Sequence, residues 1–420
     1  MKKSIKITKK TIFFWLVFIV IFCSHDTILF GTNADSRFLA IRKAIPFLLI
    51  ACLLVTRRVI RIRKIDLCKV LFVLILPIIS CFVNRENLNN YIYRAAIMLA
   101  AILFVLVGDK HEFHIAYDRI LYFLSIWSIA TYVMMVLLPG IVSKFPSVTN
   151  SNGTPFYFLG FSLMNSRLHY GMVRNSSIFR EPGVFCVMLT IAMLNEMIIL
   201  KKMRTKRILV YTAAMVTTYS TAGYIILLLL FLYYLAVDTK ARHKGLLITL
   251  LAAAALVMAT QTDLLSAEGA IFDKFVKGSN SYGSWLARLT SVTSSIQIAL
   301  QNPVCGIGRY ALYDTVLGTA GVYRAVDNTN TILVGFAAYG LMFGLVLTWG
   351  CWRFIRKQQR NLLAACYLFV LLLLALSNED FGQNILFYVL VFEGLCTSWQ
   401  EGPEHPKTIK ELYATKGLSV

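Results

Sequence analysis

The sequence predicts an all-α polytopic membrane protein with about twelve transmembrane helices and a large extracytoplasmic loop, and three observations predict it. Apolar runs long enough to span a bilayer recur from one end of the chain to the other. The composition is 58% hydrophobic and 15% charged, whereas soluble domains sit nearer half apolar and about a quarter charged. Basic residues fall in short clusters between the apolar runs, which is how membrane topology is written into a sequence. The formal charge of +21 therefore belongs to the loops, and no nucleic-acid partner is expected; the lipid bilayer is.

The first span is expected at 11–23, behind Lys2, Lys3, Lys6, Lys9 and Lys10. No small-x-small cleavage site follows, and Ser24-His25-Asp26 interrupts the run, so it reads as an uncleaved helix with a cytoplasmic N-terminus. Further spans are expected at 38–55, 67–83, 91–108, 120–138, 182–200, 208–219, 222–237, 245–261, 331–352, 362–376 and 384–396. Only Ser220-Thr221 separates the pair within 208–237. Some runs are short and fit a bilayer by tilt or local thinning. The charge pattern checks the count. Arg57 to Lys64, Lys110 with Arg119, and Lys201 to Arg207 mark alternate loops as densely basic. Lys240 to Lys244, Arg353 to Arg360, and Lys407, Lys410 and Lys416 in the tail continue the series. These loops are assigned to the cytoplasm and the sparsely basic ones to the outside. The chain, 1–420, is then one integral membrane domain with both termini cytoplasmic.

Two outside segments are long: 140–181, and 262–330, the largest non-membrane piece. Loops of this length without a fold of their own tend to be functional. Trp285, Leu289, Val292, Ile296 and Leu300 recur at helical spacing, which predicts an amphipathic helix over 285–301, on the membrane surface or capping the bundle. The polar tail, 398–420, is expected to be unstructured. Nine scattered cysteines, mostly inside apolar runs, argue against a disulfide framework or a zinc site. No GKS/T phosphate loop, HExxH, paired CxxC or Gly-x-Ser-x-Gly occurs, so no metal or cofactor is expected.

The chemistry-bearing stretch is Arg174-Asn-Ser-Ser-Ile-Phe-Arg180-Glu181-Pro182-Gly183, immediately ahead of an apolar run. Pro182 suits the first position of a helix, where its missing N–H costs nothing. Glu181 would then sit at the positive end of that helix. Arg174 and Arg180 keep their charge and offer forked donors that match phosphate oxygens. A capped helix with an interfacial arginine reaching outward accounts for the same residues. The other outer arginines are Arg288 and Arg309, and His169 is the histidine of the long outer loops. Arg42, Lys43, Lys69 and Arg94 lie within apolar runs, where a cation is costly. Arg94, near the outer end of its span, reads as snorkelling; Arg42 and Lys43 are deeper, and either serve function or pair with Asp26 or Asp35.

Arginines gathered at one membrane face suit a lipid-linked diphosphate. When a sugar leaves such a carrier, negative charge builds on the bridging oxygen, and fixed cations in a dry cleft stabilise it. An acceptor hydroxyl must also lose its proton. Glu181 and Asp327 are the carboxylates at hand, though such a residue is more often a helix cap or surface charge than a base. Asn302-Pro303-Val304-Cys305-Gly306-Ile307-Gly308 permits a tight turn. Asp327-Asn328 is a candidate cap for the tenth span, and Gly340 with Gly344 forms a small-xxx-small packing face.

These segments, in this order, resemble the Wzy-type polymerases of O-antigen and capsular polysaccharide, within the O-antigen ligase/polymerase superfamily. The resemblance rests on Arg-x-x-x-x-x-Arg-Glu-Pro-Gly at 174–183 and on Asn302-Pro303-x-x-Gly306-x-Gly308. It extends to Tyr339-Gly340-Leu341-x-x-Gly344, to the Thr217–Gly223 turn, and to Arg288 upstream of the Pro-x-x-Gly-x-Gly turn. It implies a GT-C-like helical bundle in the bacterial inner membrane. The activity implied is metal-independent transfer of a glycan from undecaprenyl diphosphate onto a lipid-linked repeat unit. Arg180, Glu181, Arg288, Asp327 and Asn330 are then the expected catalytic residues; Arg174, Arg309, Arg42 and His169 are expected to bind substrate. An undecaprenyl-diphosphate-linked oligosaccharide is the implied partner, with a chain-length regulator protein as a further candidate. Counting back from Gly340, Asn330 matches the family asparagine and Thr329 stands where the related ligases carry histidine, which favours polymerase over ligase. A transporter or flippase of lipid-linked sugar is the alternative of a different class. Such proteins often carry inverted repeats, and none is seen here.

Overall fold

A computed structural model of the protein describes residues 8–56, 63–165, 173–202, 204–237, 282–312 and 329–396. The expected span at 245–261, the tail, most of the 262–330 loop, Asp327 and His169 lie outside the described residues.

The architecture is a helical bundle. Helix α1 (Lys9–Phe22) opens with the Thr8 hydroxyl accepting from the Thr11 N–H. A π-helical turn (Ile28–Thr32) leads into α2 (Ser36–Thr56), α3 (Lys64–Val83), α4 (Leu88–Val107) and α5 (Lys110–Leu137). A single turn, α6 (Pro139–Val142), precedes three short strands: β1 (Ser147–Thr149), β2 (Pro155–Phe158) and β3 (Leu163–Met164). The strands form an antiparallel meander with Val148 opposite Phe156 and Tyr157 opposite Met164. Helix α7 (Pro182–Leu194) runs on into a second π-helical turn (Asn195–Ile199), followed by α8 (Thr205–Val216) and α9 (Thr221–Val237). The remaining described helices are α10 (Tyr282–Gln301), α11 (Thr331–Tyr339), α12 (Leu341–Gln358), α13 (Leu362–Leu376) and α14 (Ile385–Leu395).

Among the described residues, α2, α3, α4, α5 and Pro182–Ile199 are long and apolar enough to cross a membrane. Lys10–Phe22, Thr221–Ala236, α13 and α14 are shorter apolar helices. The core sits around α14, every residue of which is buried, packed between α4 and α12. Outward faces of α2 and α3 expose Phe47, Leu48, Leu71, Phe72 and Ile75. Apolar patches of that size are unfavourable against water and natural against lipid tails, so the chain is a membrane-embedded helical protein.

Ion pairs respect two separate ends. Among the described residues, Lys10, Arg63, Lys69, Lys110, Arg204 and Arg207 pair with Glu112, Asp66, Glu393, Glu196 and Asp118. Arg37, Arg180 and Arg309 pair with Asp35, Asp26, Glu181, Glu379 and Asp380. No pair among the described residues joins the two sets, and the sequence reading places each set on its own side.

Three local expectations are corrected. The apolar run 331–352 is two helices, not one: Gly340, at φ +89°, breaks it between α11 and α12. The freed backbone groups are met by the Asn302–Gly308 turn, since Ile307 and Gly308 donate to the Ala337 and Ala338 carbonyls at 3.0 and 3.1 Å. Leu341 N–H in turn donates to the Pro303 carbonyl at 2.7 Å. Gly340 is thus a docking point for that turn rather than part of a smooth packing face. The cap of α11 is Asn330, whose Oδ1 accepts from Leu333 N–H at 2.9 Å. The amphipathic helix begins at Tyr282, and it turns Ser291, Ser294, Ser295 and Ala299 inward while Leu289, Ile296 and Leu300 stay exposed.

Candidate functional site

Three consecutive residues between α13 and α14, Asn378-Glu379-Asp380, each hold one of the outer arginines. Asn378 Oδ1 accepts from Arg288 Nη1, Glu379 Oε2 accepts from Arg180 Nη2 at 3.0 Å, and Asp380 pairs with Arg309. The loop is pinned from both sides: Thr331 Oγ1 donates to the Glu379 carbonyl at 2.7 Å and accepts from Phe381 N–H at 3.0 Å. Gly183 lets it lie against the start of α7, because a Cβ there would meet Glu379 Oε1 at 2.7 Å and Asn378 Nδ2 at 2.9 Å. The glycine of Arg-Glu-Pro-Gly is therefore a close-approach residue.

Arg180 is the hub. Its Nε reaches Asp26 Oδ1 at 3.3 Å, its backbone N–H donates to the Asp26 carbonyl, and its Nη1 lies 3.7 Å from Glu181. Asp26 is 1% exposed and also accepts from Asn384 Nδ2. Burial works against the Arg180 charge, but Glu379 and Asp26 outweigh it and hold the guanidinium above its ordinary range. Burial, and then the neighbouring Glu181, push Glu379 up to about 8, against the pull of Arg180. Glu181 does not cap α7 with its side chain and is 57% exposed. This arrangement displaces the capped-helix reading of the motif.

Two cavities flank the hub. The larger, about 440 Å³, is basic: Arg42, Lys43, Arg94 and Arg309 line it with Tyr93 and Tyr310, and no carboxylate does. Leu39, Phe47 and Ile92 at its rim are exposed on the lipid-facing surface of α2 and α4. Arg42 donates to the Phe30 and Gly31 carbonyls, so the expected pairing with Asp26 or Asp35 is not made; Asp35 binds Arg37 instead. Arg94 is 5% exposed and lies over the Tyr339 ring at 5.3 Å, which corrects its reading as a snorkelling residue. Burial, then Arg42 and Arg180, lower His25 to about 3, so this lining histidine is neutral. Lys69, at the other end of the bundle, donates to the Leu395 carbonyl and pairs with Asp66.

The smaller cavity, about 290 Å³, is lined by Asn150, Asn152, Asn165, Arg174, Arg180 and Glu181, among others. Arg174 is anchored through its Nε to the Thr218 carbonyl at 3.0 Å. Burial, the largest influence, lowers its pKa from the ordinary value.

The expected residues therefore converge, but not on one cavity. Arg174, Arg180 and Glu181 share the smaller one, Arg42 and Arg309 the larger, and Arg288 reaches the hub through Asn378. Asn330 is occupied in capping α11, while Asp327 and His169 fall outside the described residues. Sequence reasoning missed Asn378, Glu379 and Asp380, and considered Asp26 as a partner for Arg42 or Lys43 but not for Arg180. Adjacent carboxylates between two apolar runs, in a chain with 21 acidic residues, were the available signal. Among the described residues, no three His, Cys, Asp or Glu side chains gather as a metal-binding group. No family model, curated protein or solved structure matches the chain.

Proposed function

We propose that the protein is a polysaccharide polymerase of the bacterial inner membrane, transferring a glycan from undecaprenyl diphosphate to a lipid-linked repeat unit at the extracytoplasmic face. The observation that carries this reading is the basic cavity. Arg42, Lys43 and Arg94, together with an Arg309 already paired to Asp380, beside a lipid-exposed rim suit a multiply charged anion attached to an apolar tail. A polyprenyl diphosphate has that form.

In the reaction, an acceptor hydroxyl attacks the anomeric carbon of the donor sugar. The new C–O bond forms as the bond to the diphosphate breaks, and the lipid diphosphate leaves with the electron pair. Arg42, Lys43, Arg94 and Arg309 stabilise the charge that develops on it. The hydroxyl proton passes to Glu181, the exposed carboxylate of the hub. Twelve spans, a GT-C-like bundle and cytoplasmic termini belong to the same proposal, as do undecaprenyl-linked glycan and a chain-length regulator as partners. Replacing Arg94 with Ala should leave the protein inserted in the membrane while long-chain glycan disappears from cells. Normal chain-length ladders from that variant at normal protein levels would refute the proposal.

The break at Gly340 favours a second reading, since interrupted helices are common in transporters. A flippase would move the lipid-linked unit across a liposome bilayer without lengthening its glycan.

A further inference from the structure

The smaller cavity differs in chemistry from the basic one, being lined mainly by amides and hydroxyls. Its amide side chains come from the β1–β2 loop and from Asn165 just past β3, and its hydroxyls include Thr154 and Ser176. Apolar lining is limited to Phe156 and Pro182. Asn152 and Asn165 make no side-chain hydrogen bond with any described residue, and the Arg174 Nη atoms donate to none. The cavity therefore presents free donors and acceptors with one guanidinium lacking a carboxylate partner among the described residues.

Its walls are fixed by backbone pairing between distant segments. Ser151 N–H donates to the Thr32 carbonyl at 2.7 Å and Ala34 N–H to the Thr149 carbonyl at 2.9 Å. Ile28 N–H donates to the Ile178 carbonyl at 2.9 Å, and Leu163 N–H to the Ser177 carbonyl at 2.9 Å. Asn150 Oδ1 holds the hairpin tip by accepting from Asn152 and Thr154 N–H at 3.1 and 2.8 Å. A rigid pocket of amides and hydroxyls, with Arg174 beside the already paired Arg180 and Glu181, recognises a ligand rich in hydroxyls; a peptide side chain would find no apolar socket, and a diphosphate only one guanidinium not already paired with a carboxylate among the described residues.

We propose that this cavity is a glycan subsite, which binds the terminal sugar of the acceptor and presents its hydroxyl to Glu181 at the edge. Asn152 and Asn165 amides and the Arg174 guanidinium donate to sugar oxygens, and the amide oxygens accept from sugar hydroxyls. The volume, close to the lower bound of about 300 Å³ for small-ligand sites, admits a terminal sugar and leaves the rest of the chain outside. The two cavities then hold acceptor and donor, with Arg180 and Glu181 in the wall of the acceptor's. This inference rests on the transferase reading above.

The test uses the full chain in detergent and two probes. One is the lipid-free oligosaccharide released by mild acid from the host's own surface polysaccharide; the other is farnesyl diphosphate. Binding is read by saturation-transfer NMR for the first and by calorimetry for the second. Asn152→Ala with Asn165→Ala should weaken oligosaccharide binding about tenfold or more, from two lost hydrogen bonds, and leave farnesyl diphosphate binding unchanged. Neither side chain bonds to the described protein, so folding is retained, and thermal unfolding confirms it. Arg94→Ala should do the reverse. Unchanged oligosaccharide binding in the double variant overturns the subsite, as does a wild-type protein that binds farnesyl diphosphate but no oligosaccharide; in both cases the donor reading stands. A wild-type protein that binds neither probe overturns both.

Discussion

Replacing Arg180 with Ala removes the ion-pairing partner that Asp26 and Glu379 share, and these carboxylates are 1% and 6% exposed. Breaking a buried pair by deleting one partner typically costs about 3–5 kcal/mol, because a charge is left without compensation. The structure says where in that range the cost falls. Burial pushes Glu379 up to about 8 even beside the guanidinium, so once Arg180 is gone it takes up a proton at pH 7 and Asp26 is the main group left without its cation. The loss at pH 7 should lie near the lower end, about 3 kcal/mol, and rise toward about 5 kcal/mol at pH 9. Glu379 also sets a sign for the wild-type protein. Its folded pKa is raised above the ordinary 4.5, so the folded state binds the proton more tightly than the unfolded one. Its contribution is fully present below pH 4.5 and declines as pH rises to about 8. Glu379→Gln should flatten that slope, and adding it to Arg180→Ala should recover part of the lost stability above pH 8 without restoring long-chain glycan. The assay is chemical unfolding of purified protein across this pH range, with glycan ladders from cells. An Arg180→Ala protein as stable as wild type at both pH 7 and pH 9 would refute the reasoning.

Two further outcomes are expected. Gly183→Ala forces a methyl group against Asn378 and Glu379, and overpacking of this kind costs about 1–3 kcal/mol; unfolding measurements should show the loss, together with reduced glycan length, as the loop that holds Arg288 and Arg180 shifts. Asn330→Ala removes the cap of α11 and should cost about 1 kcal/mol, while Asn330→Ser, which retains an accepting oxygen, should recover most of it in the same unfolding assay.

The membrane class was legible because hydropathy and loop charge act residue by residue and need no tertiary information. Existence of the helices followed from that, and Arg174, Arg180, Arg288 and Arg309 stood out as fixed charges in the outer loops. What stayed hidden depends on partners distant in sequence. Gly340 inside an apolar run looks like any packing glycine, and only the docking of the Asn302–Gly308 turn shows that it ends a helix. Arg94 reads as interfacial from its place in the run, yet the fold turns it inward over Tyr339. The meander of β1 to β3 has strands too short for a period-2 pattern to register, and it is held by cross-links to residues 32–34 and 177. Asn378 to Asp380 fell in a connector of few residues, where no local pattern announces a hub.

The most direct measurement is an extension assay in liposomes. Purified protein is supplied with the lipid-linked repeat unit extracted from host cells that lack this gene. The account predicts glycans lengthened in whole repeat units, with one lipid diphosphate released for each unit joined and no lengthening by the Arg94→Ala protein. Repeat units that cross the bilayer or remain in place at their original length would contradict it.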